Sequence, residues 1–300
     1  MKVSYRGNAI SQTANTAIHA IFIVIGLSCV VPLLLVIAVS FSDEQTIAAN
    51  GYRFLPEKLS LDAYRYLWQE GRTILNAYAV TIFTTVVGTV LSLAVISTFA
   101  YPLTRKDFSY RKLFLFLVVF TLLFNGGLVP WYLVTTQVLH LKNNIWALIV
   151  PHLFNGWYVM IMKTYFQTTI PDPVLESAKI DGAGEFRTFL TIVLPLSLPG
   201  LATIGLFSAI VFWNDWWLPL MLITNDKLLN MQYLMYKALS FADYLSNASG
   251  QNYGSIMQLS PPALTFRMAL AVVGIGPIVL AYPFFQKYFV QGLTVGAVKG

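Results

Sequence analysis

Six stretches of this chain, at about 17–41, 74–101, 112–135, 145–167, 196–223 and 266–289, are apolar over the roughly 20 residues that a helix needs to cross the hydrocarbon of a bilayer. In that solvent every backbone polar group must be satisfied within the protein, so each stretch is expected to be a helix. The expected fold is therefore all-α: one six-span membrane domain covering 1–300. Composition agrees, since 57% of the 300 residues are hydrophobic and 11% are charged, against about 25% charged residues in soluble domains. The single cysteine, Cys29, lies inside the first stretch, which excludes a cysteine framework or a cysteine-built zinc site. That stretch outruns the roughly 7–15-residue core of a signal peptide, and Phe41-Ser42-Asp43-Glu44 is a poor cleavage site, so it reads as a retained helix.

A net charge of +6 would raise nucleic acid as a partner of a soluble protein. Here the basic residues serve topology, and no nucleic acid is expected. Lys2, Arg6, Arg105, Lys106, Arg111, Lys112, Lys179, Arg187, Lys287 and Lys299 all fall on one side if both termini are cytoplasmic. Arg53, Lys58, Arg65 and Arg72 fall on the other, balanced by acids, in an outer segment long enough for a small structure of its own. Within that segment Asn50-Gly51 signals a turn and Leu61 to Trp68 an amphipathic piece. In the second span Thr84, Gly88 and Ser92 recur every four residues, a stripe of small groups on which another helix can pack closely.

Between the fourth and fifth spans lies a polar segment, 171–195, that no bilayer could accommodate. Asp172 before Pro173 is a helix start, with the carboxylate expected to accept orphan N–H groups. Gly182-Ala183-Gly184 would end this helix where positive φ is cheap. Phe186, Phe189, Leu190 and Val193, at offsets 0, 3, 4 and 7, then give one apolar face, stopped near Pro195. The object is a short helix–turn–helix with an acidic residue, Glu176, and an apolar ridge on display; folded back on its own bundle, it would instead be an ordinary loop.

Its order, Glu176-Ser177-Ala178, then Asp181-Gly182-Ala183, then Phe189, Ile192, Pro195-Leu196 and Pro199, resembles the coupling loop of the membrane subunits of bacterial ABC importers. Ser177 stands where that family usually has Ala. The resemblance implies that Glu176, Ser177, Ala178, Asp181, Gly182, Ala183, Phe189 and Pro195 form the surface gripped by an ATP-hydrolysing subunit. The end of the chain, Phe285 to Gly300, looks like the tail of permeases related to the maltose system. There the tail 286–300, with Gln286, Lys287 and Gly292, would reach the ATPase dimer; otherwise it is a frayed end. Phe124-Asn125-Gly126-Gly127-Leu128-Val129-Pro130-Trp131-Tyr132 resembles the permeases of a complex-oligosaccharide and polysaccharide branch that includes alginate importers.

On these matches the chain is identified as a permease subunit of a type I ABC importer in a bacterial cytoplasmic membrane. The family implies four kinds of partner: a second homologous permease (a heterodimer), a dimer of ATP-binding subunits, an extracytoplasmic solute-binding protein and a saccharide substrate. ATP and Mg would belong to the ATPase partner, and no cofactor or metal to this chain. It has no Gly-x-x-x-x-Gly-Lys-Ser/Thr phosphate loop and is not expected to be an enzyme itself.

Substrate is sought at Trp213-Asn214-Asp215-Trp216-Trp217, about 22 Å of helix beyond Pro199. Sugars stack their C–H faces on aromatic rings and pair hydroxyls with Asn or Asp, and an ionisable residue inside a span is functional by default. The alternative is an interfacial aromatic belt. Asn125, Trp131 and Tyr132, and also Asn155, Trp157 and Tyr158, are further candidates open to the same two readings. His152 reads as a satisfied bundle residue, His19 and His140 as interfacial ones. A secondary transporter or channel working without an ATPase is the rival. It would bury ionisable residues in several spans, whereas Asp215 is the one acidic residue in a span core.

Overall fold

The computed structural model describes residues 12–248 and 264–277. Among these residues the elements are helical, apart from one antiparallel bridge between Ser42 and Leu59. In chain order they are α1 (Gln12–Ser40), α2 (Glu44–Asn50), α3 (Asp62–Gln69), α4 (Gly71–Ala100), α5 (Arg111–Leu123), α6 (Leu128–Leu133) and α7 (Gly156–Thr169). There follow α8 (Asp172–Ile180), α9 (Glu185–Thr188), α10 (Leu194–Leu196), α11 (Leu198–Trp213), α12 (Trp217–Leu222), α13 (Met231–Ala248) and α14 (Leu264–Pro277). The described residues form two compact units, one from those up to Gln69 with those in Ala238–Val273, the other from Glu70–Lys237 with those from Gly274 on.

In the first unit α1 is apolar on every side and exposed along most of its length, with Ile21, Phe22, Val24 and Leu34 all uncovered. A helix of that composition is soluble in lipid and not in water. The segment after α1 then folds on itself. Asp43 caps α2, its side chain accepting from the Thr46 N–H, while its own N–H donates to Lys58 O at 3.0 Å. Tyr64 of α3 stacks on Phe41 and shares a hydrogen bond of 2.8 Å with Ser40. The Glu44 carboxylate caps α14, accepting from the N–H groups of Leu264 and Thr265, both at 2.8 Å, and from the Thr265 hydroxyl at 2.7 Å.

The second unit is organised by α4. Its small-residue stripe is buried, as expected, and packs on α11: a Cβ placed on Gly88 would come within 2.5 Å of the Phe212 ring. Ser92 donates to Leu153 O at 3.2 Å. Ile96, Leu103, Met162, Phe166, Val193 and Ile204 make one core cluster, and Val80, Leu148, Leu218, Leu222 and Leu229 a second.

Two helices, Gln12–Ser40 and Gly71–Thr104, are each long and apolar enough to cross a membrane alone. The expected third span, 112–135, is broken: α5 ends at Leu123, and Leu128–Val138 runs at 116° to it. Pro130 has no N–H for the carbonyl of Gly126, Gly127 adopts φ +86°, and Asn125 Oδ1 takes the Gly127 N–H at 2.8 Å. The expected fourth span, 145–167, bends by 52° between Ile145–His152, which is 3₁₀ around Pro151, and α7. The fifth, expected at 196–223, is interrupted at Asn214–Trp216. Here Pro219 cannot donate to the Asp215 carbonyl, which is taken by the Asn230 side chain instead. Below it α9–α10 meets α11 at 81°. Of the sixth span α14 is described; the expected remainder to 289 and the tail with Gln286, Lys287 and Gly292 lie outside the described residues.

Candidate functional site

The polar segment is a helix, a tight turn and a second helix. Asp172 is the first residue of α8 and not its cap: its carboxylate is drawn 3.0 Å from Lys106 Nζ, and Pro171 occupies the capping position. At the other end the turn is a Schellman motif. Ala183 N–H donates to Ala178 O at 2.9 Å and Gly182 N–H to Lys179 O at 3.1 Å, with Gly182 at φ +75°.

One face of α8 is inward. Leu175 and Ala178 are buried, Leu175 in the core cluster with Phe166, Ile170 and Phe189. The opposite face presents Glu176, Ser177, Asp181 and Gly182, all exposed, together with Ile180 at 86% exposure. The expected apolar ridge of the second helix is divided between the two environments. Phe186 is 72% exposed and Leu190 is exposed, but Phe189 is only 5% exposed and Val193 is fully buried. Thr188, Phe189 and Val193 share the buried face, and Phe186, about 60° round the helix from Phe189 at 3.6 residues per turn, stands off it, so Phe189 braces the core and is not on display. Pro195, in α10, is exposed and Ala183 half-buried.

What holds this surface was not read from the sequence. The Tyr101 hydroxyl, at the end of α4, donates to Glu185 Oε2 at 2.7 Å, and Tyr101 packs on Phe189 with centroids 5.3 Å apart. Arg105 reaches both Glu185, at 3.2 Å, and Asp107, at 3.6 Å; Lys179 approaches Asp107 at 3.7 Å. Exposed pairs of this kind contribute roughly 0–1 kcal/mol each. As a set they clamp the 102–110 link to the polar segment. A cavity of ≈ 420 Å³ lies between them, lined by Arg105, Lys106, Asp107, Gln167, Asp172 and Glu176. The signal available was charge: basic and acidic residues at 105–107 face acidic and basic ones at 172, 179 and 185.

The second candidate region is the interruption of the fifth span. Asp215 is buried at 9% exposure, and its Oδ1 accepts from the N–H groups of Trp217, at 3.0 Å, and Leu218, at 3.1 Å. The carboxylate thus starts α12. Asn230 in turn accepts the Tyr233 N–H at 3.0 Å, which starts α13. Trp213 is buried, Trp216 is exposed and stacked on Tyr236 at 4.7 Å, and half-buried Trp217 meets Trp131 at 4.6 Å. Tyr132 is half-buried beside Trp131. Asn214 is exposed, its amide turned to Ile210 O at 2.9 Å. Asn125 and Asn155 have structural duties, Asn155 accepting from the N–H groups of Trp157 and Tyr158 at the start of α7. Of the five residues Trp213–Trp217, Asn214 and Trp216 are exposed, as is the further candidate Trp157. His152, read as a satisfied residue, lies with Nε2 3.3 Å from Asp215 Oδ2.

Residues 92–295 match the family described as binding-protein-dependent transport system inner membrane component. The chain is 38% identical over 284 residues, 94% of its length and 97% of the other's, to the polygalacturonan/rhamnogalacturonan transport system permease protein YtcP of Bacillus subtilis. It is 38% identical over 276 residues to the protein LplC of the same organism, covering 92% and 91% of the two chains. Among solved structures, it resembles a chain from a bacterial ABC transporter involved in the import of the acidic polysaccharide alginate. That match has a TM-score of 0.78 and 27% identity, over 93% of this chain and 99% of the other.

Proposed function

The chain belongs to the family of binding-protein-dependent transport system inner membrane components, the multi-pass permease subunits of ABC importers, and from that premise we propose how it works and what it carries. Its cargo is a complex oligosaccharide or polysaccharide fragment of acidic character, and it acts by alternating access. Support for the acidic class comes from one relative named for polygalacturonan and from the fold's likeness to an importer of acidic alginate.

The permease pairs with a second, homologous permease. Both termini and the polar segment face the cytoplasm, where a dimer of ATP-binding subunits holds the ATP and Mg. An extracytoplasmic binding protein delivers the saccharide to the other face. The chain's own contribution to energy conversion is the exposed face of α8. The observation that carries this reading is the pairing of an outward face, Glu176, Ser177 and Ile180, with an inward face seated in the core through Leu175. A helix gripped on one side and rigidly rooted on the other transmits displacement into the bundle. ATP-driven closure of the ATPase dimer would move α8, and through Phe189, Tyr101 and α4 the packed spans. The tail, with Gln286, Lys287 and Gly292, makes the second contact with the ATPase.

Two measurements test this. Glu176→Lys should abolish co-purification with the cognate ATP-binding subunit while the permease still reaches the membrane; unchanged assembly and transport would refute the coupling role. In proteoliposomes of the whole complex, uronate oligosaccharides with their binding protein should stimulate ATP hydrolysis. Stimulation by neutral oligosaccharides alone would overturn the acidic assignment.

A further inference from the structure

Two of the broken spans are joined by a contact that neither the packing of the bundle nor the capping of its helices uses. His152 ends the 3₁₀ stretch of the fourth span, and Asp215 lies in the interruption of the fifth. Their facing atoms, His152 Nε2 and Asp215 Oδ2, are 3.3 Å apart, both buried, and neither makes an aligned hydrogen bond with the other or with any other group. The rest of Asp215 is committed: Oδ1 to α12 and the carbonyl to Asn230. The imidazole is steadied edge-on against Phe212 at 5.6 Å. A buried carboxylate oxygen without a donor is costly, and truncating one member of a buried pair strands the other. At both ends of the contact the helical hydrogen-bond ladder is already interrupted, and interruptions of that kind are where a packed helix can turn at low cost.

We propose that His152 is a positioning residue of the transport path, tying the break of the fourth span to the break of the fifth so that the two hinge together. The pair fixes the orientation of Asn214 and Trp216, the exposed edge offered to the saccharide. This rests on the reading of that edge as part of the path. His152 itself touches no substrate in this arrangement; it acts through Asp215.

The test uses the complete importer in proteoliposomes, with assembly followed by co-purification and with saccharide uptake and saccharide-stimulated ATP hydrolysis as readouts. His152→Ala and Asp215→Asn should each lower maximal uptake about tenfold, leaving the concentration of loaded binding protein for half-maximal rate within about twofold. The double variant should fall no further than the worse single, since residues in one contact are non-additive. His152→Gln, which still offers an N–H to the carboxylate, should keep about half of the wild-type rate. Additive losses, about a hundredfold in the double variant, would overturn the proposal. So would His152→Gln behaving like His152→Ala, or unchanged uptake in both single variants. Should His152→Ala not assemble, His152→Gln against His152→Leu carries the comparison, with equal rates counting against the pair. If instead Asn214→Ala and Trp216→Ala leave uptake unchanged while the pair remains non-additive, the path reading fails and the joint stands.

Discussion

The hydroxyl of Tyr101 donates to the carboxylate of Glu185 at 2.7 Å, so the last turn of the long α4 span is bonded directly to the first residue of the second helix in the polar segment. Tyr101 is itself buried and rests on Phe189. The polar segment is therefore rooted in the bundle through an aromatic stack with a hydrogen bond at its rim.

Tyr101→Phe isolates that bond. The ring stays packed, and Glu185, more than half exposed, keeps Arg105 and water. The loss should be about 1 kcal/mol, the net worth of an ordinary hydrogen bond. Assembly with the ATPase should persist, while saccharide uptake per ATP hydrolysed should decline. A variant with wild-type stoichiometry would mean that movement passes from α8 by another route.

The turn at Gly182 is a second point of leverage. A Cβ there would meet nothing within 4 Å, so any effect of substitution comes from the backbone at φ +75° and not from crowding. Gly182→Val should cost about 1–2 kcal/mol, and Gly182→Asn distinctly less, since Asn tolerates this region. Thermal unfolding of the purified complex would rank them. Equal midpoints for Asn and Val would show that the Schellman geometry is not needed.

Much of this was open to reading and some was not. The small-residue stripe of α4, the glycine turn and the exposed Glu176 follow from local pattern, because period and turn chemistry depend on neighbours in the chain. The breaks at Gly126–Gly127 and before Pro219 were signalled by residues that cannot complete a helical ladder, yet hydrophobic length alone favoured unbroken spans. Phe189 is the informative miss. At offset 3 from Phe186 it belongs to the same broad stripe, but the two positions are about 60° apart round the helix, and only the packing against Tyr101 decides that one ring points outward and the other into the core. Likewise, Asp172 has the sequence of a cap, but a lysine 66 positions away holds its carboxylate. Asp215 was legible as an ionisable residue in a span. Its joint duties to Trp217, Leu218 and His152 depend on a long-range meeting that no local spacing encodes.

Glu44 supplies a prediction for the first unit. Its carboxylate satisfies two orphan N–H groups at the start of α14 and the Thr265 hydroxyl. Glu44→Ala should destabilise that helix start by about 0.5–2 kcal/mol, as loss of a capping side chain does, and a negative charge there also suits the helix dipole. Hydrogen exchange at Leu264 and Thr265 should speed up in the variant while α4 keeps its protection. Unchanged exchange at those two amides would remove the cap from the account.

The packing of α4 on α11 gives the sharpest steric test. At Gly88 an added methyl would lie 2.5 Å from Phe212 Cε1 and Cζ, closer than any real contact of this kind, and the ring is itself fully buried and cannot swing into solvent. Gly88→Ala should therefore cost about 1–3 kcal/mol through overpacking, lowering the unfolding temperature of the complex. The remedy is specific. Phe212→Leu alone leaves a cavity and is also destabilising, but with Gly88→Ala the methyl and the shortened side chain share the space. The double variant should be more stable than the Phe212→Leu single, a sign reversal that only direct contact between the two positions produces. Simple addition of the two losses would mean that α4 and α11 do not meet at this point.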